Sequence, residues 1–80
     1  MRRRALANAV VDARRKAGLT QQQLADAAGL SRSAIARLEL GEAGLNSDFL
    51  WSVAKALGTR PSVLFAAAEA DEDAAKTLEP

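Results

Sequence analysis

Glycine residues divide this chain into short segments, and the apolar side chains within each segment have the spacing of an α-helix. The glycines stand at positions 18, 29, 41, 44 and 58. Between them, apolar residues recur every three or four positions, which places them on one face of a helix. Glycine commonly ends a helix because it adopts the left-handed backbone conformation without steric cost. No segment alternates polar and apolar residues, so we predict an all-α fold with five helices and no strands.

Further signals mark where the predicted helices begin. Thr20 and Ser31 suit the N-cap positions of helices two and three, and Gln23 can complete a capping box with Thr20. Ser47, or the asparagine before it, starts helix four, and Pro61 suits the first turn of helix five. The apolar residues that define the helix faces are Leu6, Val10, Ala13, Ala17, Leu24, Ala27, Ala28, Ile35, Leu38, Leu50, Val53, Ala54, Leu57, Leu64 and Phe65.

The chain has 80 residues and contains neither cysteine nor histidine. A chain of this length forms one domain with a small core, which usually needs a covalent or metal staple or a partner subunit. Disulfides and the usual zinc sites are excluded as staples, so oligomerisation remains. The common catalytic nucleophiles and bases reduce to Ser, Thr, Lys and carboxylates, and these form no recognisable constellation. We therefore expect neither an enzyme nor a cofactor or metal site.

Positive and negative charges are unevenly distributed along the chain. Residues 1–40 hold eight Lys and Arg against three Asp and Glu, whereas residues 41–80 hold three against seven. A basic first half suits contact with a polyanion, although two solvated surfaces would give the same pattern. The composition divides the sequence into a basic N-terminal arm (1–4), a helical domain (5–67) and an acidic, alanine-rich C-terminal extension (68–80). The extension either prolongs helix five or frays into an acidic tail.

Residues 5–11 form a short apolar run behind three arginines. Asn8 interrupts this run, and four charged residues end it too early for a signal peptide or a membrane span. We therefore expect a protein that has no contact with a membrane and that stays in the cytoplasm.

The segment that spans helices two and three is the most informative part of the sequence. Two helices joined by a short turn must approach closely, and close approach requires small residues. Ala25 stands where helix two would meet the start of helix three. Gly29 permits the positive φ that the turn requires. The segment therefore satisfies the requirements of a helix-turn-helix.

The residues TQQQLADAAGLSRSAIARLE, from Thr20 to Glu39, resemble the helix-turn-helix of the lambda-repressor/Cro-like family, also called the XRE family. The resemblance extends to Arg14, Gly18, Leu19, Gly41, Leu50, Ala54, Leu57, Gly58 and Leu64. It implies a five-helix lambda-repressor-like domain that inserts helix three into the major groove of double-stranded DNA, usually as a symmetric dimer on a palindromic operator. The chain departs from the family pattern at Leu40 and Glu42, where Asn or Arg and a basic residue are usual. Both are expected in the loop near the sugar-phosphate backbone.

Four residues of helix three are candidates for contacts with base edges: Arg32, Ser33, Ala36 and Arg37. With Ile35 facing inward at about 100° per residue, the last three lie on the opposite face and the first lies on its flank. Arginine can donate two hydrogen bonds to guanine, serine suits several base edges, and the alanine methyl can contact a thymine methyl. The alternative is an ordinary solvent-exposed helix face.

Residues near three helix N-termini are candidates for phosphate contacts. Gln21 follows the Thr20 cap, and its side chain joins the free amides of helix two in a site that suits an anion. In the family, the residue at this position commonly touches the DNA backbone, although a plain solvated glutamine is the alternative. Ser31 is a further candidate, as is Thr20 itself. Arg3 and Arg4 either reach DNA as a flexible arm or form a terminus without a role.

Two further expectations concern stability. The resemblance implies a structural ion pair between Arg14, which flanks the apolar stripe of helix one, and Glu39, which ends helix three. Trp51 lies one position from the apolar stripe of helix four, and we expect it to cover the core rather than to fill a dimer contact.

Together these patterns indicate a sequence-specific DNA-binding transcriptional regulator, with residues 5–67 as the DNA-binding domain. The simplest form is a dimeric repressor or autoregulator whose interface lies on helix five and the segment after it. Compact chains of the family include phage-type repressors, controller proteins of restriction-modification systems and antitoxins, and the sequence does not choose among them. The alternative function is a protein-interaction module, such as an antitoxin whose main partner is a toxin and whose DNA binding serves autoregulation.

Overall fold

Five α-helices make up the part of the chain that the structure, a computed structural model, describes: residues 3–42 and 47–78. They are α1 (Arg3–Lys16), α2 (Gln21–Ala28), α3 (Arg32–Glu39), α4 (Ser47–Ala56) and α5 (Pro61–Leu78). No strand occurs within the two described ranges, so the all-α prediction is confirmed. Gly44 and Asn46, both predicted near helix boundaries, lie outside the described residues.

The first turns of α2 and α3 are held by their N-cap side chains. Thr20 Oγ1 accepts a hydrogen bond from the Gln23 amide at 3.0 Å, and Gln23 Oε1 accepts one from the Thr20 amide at 2.9 Å. Ser31 Oγ accepts a hydrogen bond from the Ala34 amide at 3.1 Å. Both predicted caps and the capping box are therefore confirmed. Each cap satisfies an amide that the helix leaves unpaired and contributes about 1 kcal/mol.

Gly29 makes the turn between α2 and α3 possible. Its φ of 70° lies in the left-handed region, and a Cβ at this position would have no neighbour within 4 Å. The requirement for glycine is therefore conformational rather than steric. The Leu30 amide then donates to the Ala25 carbonyl at 2.9 Å, which closes the end of α2. Ala25 is fully buried, as the close approach of the two helices requires.

All five helices contribute to one hydrophobic core. α1 packs against α3 and α5, α2 packs against α3 and α4, and α4 also contacts α5. Leu24, Ile35 and Leu38 are at most 2% exposed, so both helices of the helix-turn-helix are anchored in the core. Burial of one such side chain stabilises the fold by roughly 1.5–3 kcal/mol. The other buried members of the core are Ala5, Leu6, Ala9, Val10, Ala25, Leu50, Val53, Ala54, Leu64 and Ala68.

Four apolar residues lie outside this core against expectation, and one of them, Phe65, is 37% exposed although it follows the buried Leu64. Trp51 is 62% exposed, so the prediction that it covers the core is wrong. It follows the buried Leu50, and a rotation of about 100° per residue turns its side chain away from the buried face of α4. Ala17 and Ala27 fit the apolar spacing but are also exposed. Ala17 lies beyond the end of α1, and Ala27 is turned about 200° from the buried Ala25.

Helix α1 begins earlier than the sequence predicts. Arg3 and Arg4 belong to its first turn rather than to an arm before it, while residues 1–2 lie outside the described part of the chain. Positive charge near a helix N-terminus is unfavourable by about 0.3–1 kcal/mol. Burial of residues 5–7, which follow immediately, outweighs this cost because at least 90% of each is removed from solvent.

Helix α5 continues into the acidic, alanine-rich extension, which is one of the two alternatives that the sequence left open. It runs without a break from Pro61 to Leu78 and therefore crosses the predicted boundary between residues 67 and 68. Ala68 is fully buried, so the first residue of the expected extension belongs to the core. Residues 79–80 lie outside the described part of the chain. Neither α5 nor any other described helix has the length and apolar character needed to cross a membrane.

Candidate nucleic-acid interface

A group of hydrogen bonds joins the end of α1, the start of α2 and the end of α3. Arg14 Nε donates to Glu39 Oε2 at 2.7 Å, and Arg14 Nη2 donates to Glu39 Oε1 at 3.0 Å. Arg14 Nη1 also donates to the Leu19 carbonyl at 2.9 Å. Gln21 Nε2 completes the group by donating to Glu39 Oε1 at 3.0 Å. We call these four residues the polar clamp.

The polar clamp fixes the orientation of α3 relative to the first two helices. Its central pair is largely buried, with side-chain exposures of 13% for Arg14 and 6% for Glu39. The guanidinium meets the carboxylate with two parallel hydrogen bonds, which set both the distance and the angle between the groups. Glu39 ends α3, where the helix dipole disfavours a negative charge, and Arg14 compensates for this effect. The two residues that the resemblance pairs are therefore in direct contact.

The outward face of α3 carries the residues predicted to contact bases. Arg32, Ser33 and Arg37 are exposed, and Ala36 is half-buried. Among the described residues, neither arginine side chain has an ion-pair partner. Ile35, on the opposite face, is completely buried. α3 therefore presents hydrogen-bonding side chains to the outside while its other face is fixed in the core.

The N-termini of α2 and α3 offer hydrogen-bond donors to an anion. The amides of Gln21 and Gln22 have no hydrogen-bond partner within residues 3–42 and 47–78. The cap hydroxyls of Thr20 and Ser31 accept amide hydrogens and keep their own hydrogen for donation. Gln21 Nε2 uses one of its two hydrogens in the polar clamp, so the other remains available. Donors grouped at a helix N-terminus are suited to phosphate oxygens.

Arg4 is distant from these donors. Arg4 is exposed in the first turn of α1 and precedes Arg14 by ten residues along the same helix. A helix rises about 1.5 Å per residue, so the two positions are separated by about 15 Å along its axis. The side chain of Arg3 lies outside the described residues. The fold therefore does not bring Arg4 together with the phosphate candidates on α2.

Helical backbone continues one residue beyond Glu39. Leu40 is the C-cap of α3 with φ −85° and ψ −6°, and its amide donates to the Ala36 carbonyl at 3.1 Å. The turn follows at Gly41, where φ is 74°. Leu40 is thus the boundary residue between α3 and the loop that follows, and 59% of it is exposed. A rotation of about 100° per residue, continued past Glu39, places Leu40 on the outward face of α3, so helical periodicity alone could have predicted this position.

Comparison with known proteins supports the same fold and family. A family model described as helix-turn-helix matches residues 11–64 of this chain. No match is found among curated protein sequences.

Several solved structures are similar to this chain. The clp gene regulator ClgR from Corynebacterium glutamicum is 32% identical with a TM-score of 0.82, and the match covers 86% of this chain and 90% of that one. The restriction-modification controller protein C.AhdI from Aeromonas hydrophila is 28% identical with a TM-score of 0.77, covering 79% and 96%. The DNA-binding domain of the P22 C2 repressor is 28% identical with a TM-score of 0.74, covering 81% and 86%. This chain therefore belongs to the helix-turn-helix family of lambda-repressor-like, or XRE-type, DNA-binding transcriptional regulators.

Proposed function

We infer that this chain is a sequence-specific transcriptional regulator, a repressor or autoregulator, that binds double-stranded DNA in the cytoplasm as a homodimer. The observation that carries this proposal is the outward face of α3, where Arg32, Ser33 and Arg37 are exposed on a helix held by the polar clamp. The similar chains support it, because they include a gene regulator, a controller protein and the DNA-binding domain of a repressor.

In this proposal α3 lies in the major groove and contacts base edges with its outward face. Arg32 and Arg37 have the planar pair of donors that matches O6 and N7 of guanine, and Ser33 can donate or accept. The methyl group of Ala36 is half-buried and suits a thymine methyl where the groove floor approaches α3 closely. One correct arginine–guanine contact discriminates against other bases by about 1–3 kcal/mol.

The N-termini of α2 and α3 anchor the complex to the DNA backbone. The amides of Gln21 and Gln22 and the hydroxyls of Thr20 and Ser31 donate to phosphate oxygens. Because Gln21 also belongs to the polar clamp, a phosphate bound there is held at a fixed position relative to α3. Arg4 lies away from this site. The positive charges of Arg3 and Arg4 either contact other phosphates or attract DNA to the protein at long range.

The homodimer forms through exposed apolar side chains of α4 and α5, which we call the assembly surface. Its members are Trp51 of α4 and Val63 of α5, which are 62% and 53% exposed, whereas Phe65 is turned about 200° from Val63 to the other flank of α5. Aromatic side chains are enriched at protein interfaces, and a small single core gains stability from a partner subunit. A symmetric dimer then places two copies of α3 about 34 Å apart, which matches one turn of B-DNA.

A second candidate function rests on the exposure of Trp51. An exposed tryptophan also suits a different protein as partner, as in an antitoxin that binds a toxin and represses its own promoter. A purified chain that stays monomeric with and without operator DNA would favour this second candidate, because a homodimer forms without a second protein.

The proposed function is tested by selecting bound sequences from random DNA at one fixed salt concentration. Arg37→Ala is then measured on the selected operator and on its single-base variants. The variant should lose about 1–3 kcal/mol on the operator and relax the preference at one position in each half-site. Arg60→Ala is the matched control, because it removes the same charge from an exposed residue between α4 and α5 and should keep every base preference.

Two results would contradict parts of this proposal. Equal losses for Arg37→Ala on every operator variant would show that Arg37 contacts phosphate rather than a base. Recovery of no preferred sequence by the wild-type chain would contradict sequence-specific binding itself.

A further inference from the structure

Leu40 completes a stripe of four residues along the outward face of α3. Ser33, Ala36, Arg37 and Leu40 have the i, i+3, i+4 and i+7 spacing that places side chains on one side of a helix. The helical backbone angles of Leu40, together with its amide hydrogen bond to Ala36, keep it in register with the other three. Seven residues at about 1.5 Å each make the stripe about 10 Å long, or about three base-pair steps.

Leu40 differs from the other members of this stripe because its side chain is large and apolar. It is 59% exposed, whereas Ile35 and Leu38, the large aliphatic residues of α3 itself, are at most 2% exposed. A leucine side chain cannot form a hydrogen bond with a phosphate or with a base edge. The apolar group that base pairs present in the major groove is the C5 methyl of thymine.

We propose that Leu40 reads a thymine in each half-site by van der Waals contact with the C5 methyl group. The inference rests on the proposed function, because it requires α3 to lie in the major groove. It makes Leu40 a specificity-determining residue that acts without charge. The contact therefore adds base preference while leaving the salt dependence of binding unchanged.

The experiment replaces each thymine of the selected operator in turn by deoxyuridine, which lacks only the C5 methyl group. At one thymine per half-site, this replacement should weaken binding of the wild-type chain about fourfold, the equilibrium equivalent of burying one methyl group. Leu40→Ala should bind the thymine and deoxyuridine operators equally at that position. Leu40→Met keeps a large apolar side chain and should retain the preference for thymine.

Circular dichroism establishes that each variant is folded before affinities are compared. Should Leu40→Ala not fold, Leu40→Gln supplies the comparison, because it keeps the length of the side chain and should lose the preference for thymine. If replacing thymine by deoxyuridine changes the affinity of the wild-type chain no more than that of these variants at every position, the proposal is overturned. The proposed function still stands in that case if the base preference depends on Arg37. An even loss of affinity on all operators would place Leu40 against deoxyribose and also overturn the proposal. A chain that selects no DNA sequence overturns both proposals.

Discussion

Residues 14–39 and residues 47–68 both contribute apolar side chains to the core, and the first region adds side-chain hydrogen bonds that fix the ends of its helices. In the first region, the polar clamp and the two N-caps fix the helix ends through hydrogen bonds between 2.7 and 3.1 Å. The second region supplies apolar contacts to the core from Leu50, Val53, Ala54, Leu64 and Ala68. It also leaves Trp51 and Val63 more than half exposed.

This difference matches the two tasks that we propose for the molecule. Hydrogen bonds to a buried carboxylate are directional, so they set the angle at which α3 leaves the domain. Base reading depends on that angle, because a rotation of α3 moves every outward side chain away from its base edge. Apolar contacts are not directional, and their strength depends on the area that they bury. The first region therefore serves the geometry of recognition, and the second serves association between copies.

The largest effect is expected from breaking the polar clamp. Arg14→Ala leaves Glu39, whose side chain is 6% exposed, without its charged partner. Loss of one partner of a largely buried pair typically lowers the free energy of unfolding by about 3–5 kcal/mol. For a domain of this size, the melting temperature should fall by more than about 10 °C. Thermal unfolding followed by circular dichroism measures this change.

Lys16→Ala is the matched control, because Lys16 also lies in the last turn of α1 and also forms an ion pair. Its contact with Asp12 at 2.9 Å joins side chains that are 77% and 64% exposed. An exposed pair of this kind contributes about 0.5 kcal/mol or less, so the melting temperature should change little. Equal melting temperatures for Arg14→Ala and Lys16→Ala would contradict the structural role of the polar clamp. They would also remove the distinction between the two regions.

Features that depend on neighbours in the sequence could be predicted from the residues themselves. The caps at Thr20 and Ser31 act within three residues, and the turn at Gly29 depends on one backbone angle. The burial of Ile35 and Leu38 follows from helical periodicity alone. Such local rules explain why the sequence correctly predicts five helices in the described residues and the starts of α2 and α3.

Features that depend on tertiary packing have no local pattern in the sequence that predicts them. Arg14 and Glu39 are 25 residues apart, and only the family resemblance connected them. The hydrogen bond from Gln21 to Glu39 has no local sequence pattern, because it depends on how α2 and α3 cross. The exposure of Trp51 is decided by which face of α4 the other helices cover. The start of α1 at Arg3 likewise depends on burial of the residues after it.

An intermediate effect is expected on the assembly surface. Trp51→Ala should raise the dissociation constant of the dimer about thirtyfold, which corresponds to about 2 kcal/mol for an aromatic anchor. Because Trp51 is 62% exposed in the single chain, the helix content of the monomer should stay unchanged. Light scattering over a range of micromolar concentrations, with and without operator DNA, measures the mass.

Leu40→Ala is the matched control. It removes an apolar side chain of similar exposure, 59%, from the end of α3, and it should leave the mass unchanged in the absence of DNA. Val63→Asp puts a charge on the α5 part of the assembly surface and should weaken the dimer as well. A wild-type chain that stays monomeric at every concentration, with or without DNA, would exclude the homodimer. A dimer that survives both Trp51→Ala and Val63→Asp would place the interface elsewhere.

The smallest effect separates two neighbouring glutamines at the start of α2. Gln21 Nε2 donates to the largely buried Glu39 at 3.0 Å, whereas Gln22 Nε2 donates to the exposed Asp26 at 2.8 Å. Gln21→Ala should lower the free energy of unfolding by about 1 kcal/mol, because the Glu39 carboxylate loses one of its donors. Gln22→Ala removes an exposed pair on the helix surface and should cost less than about 0.5 kcal/mol. Urea unfolding of the two variants measures the difference.

The same two variants test the phosphate contact proposed for Gln21. Gln21→Ala should weaken binding to the operator and to unrelated DNA by the same factor, because a phosphate contact carries no base preference. The slope of affinity against salt concentration should stay the same, since a neutral glutamine displaces no counterion. Gln22→Ala should bind with a smaller loss, since only its backbone amide is proposed to reach phosphate. Should Gln21→Ala change the base preference while Gln22→Ala does not, Gln21 would act by orienting α3 through Glu39, and its assignment as a phosphate contact would be contradicted.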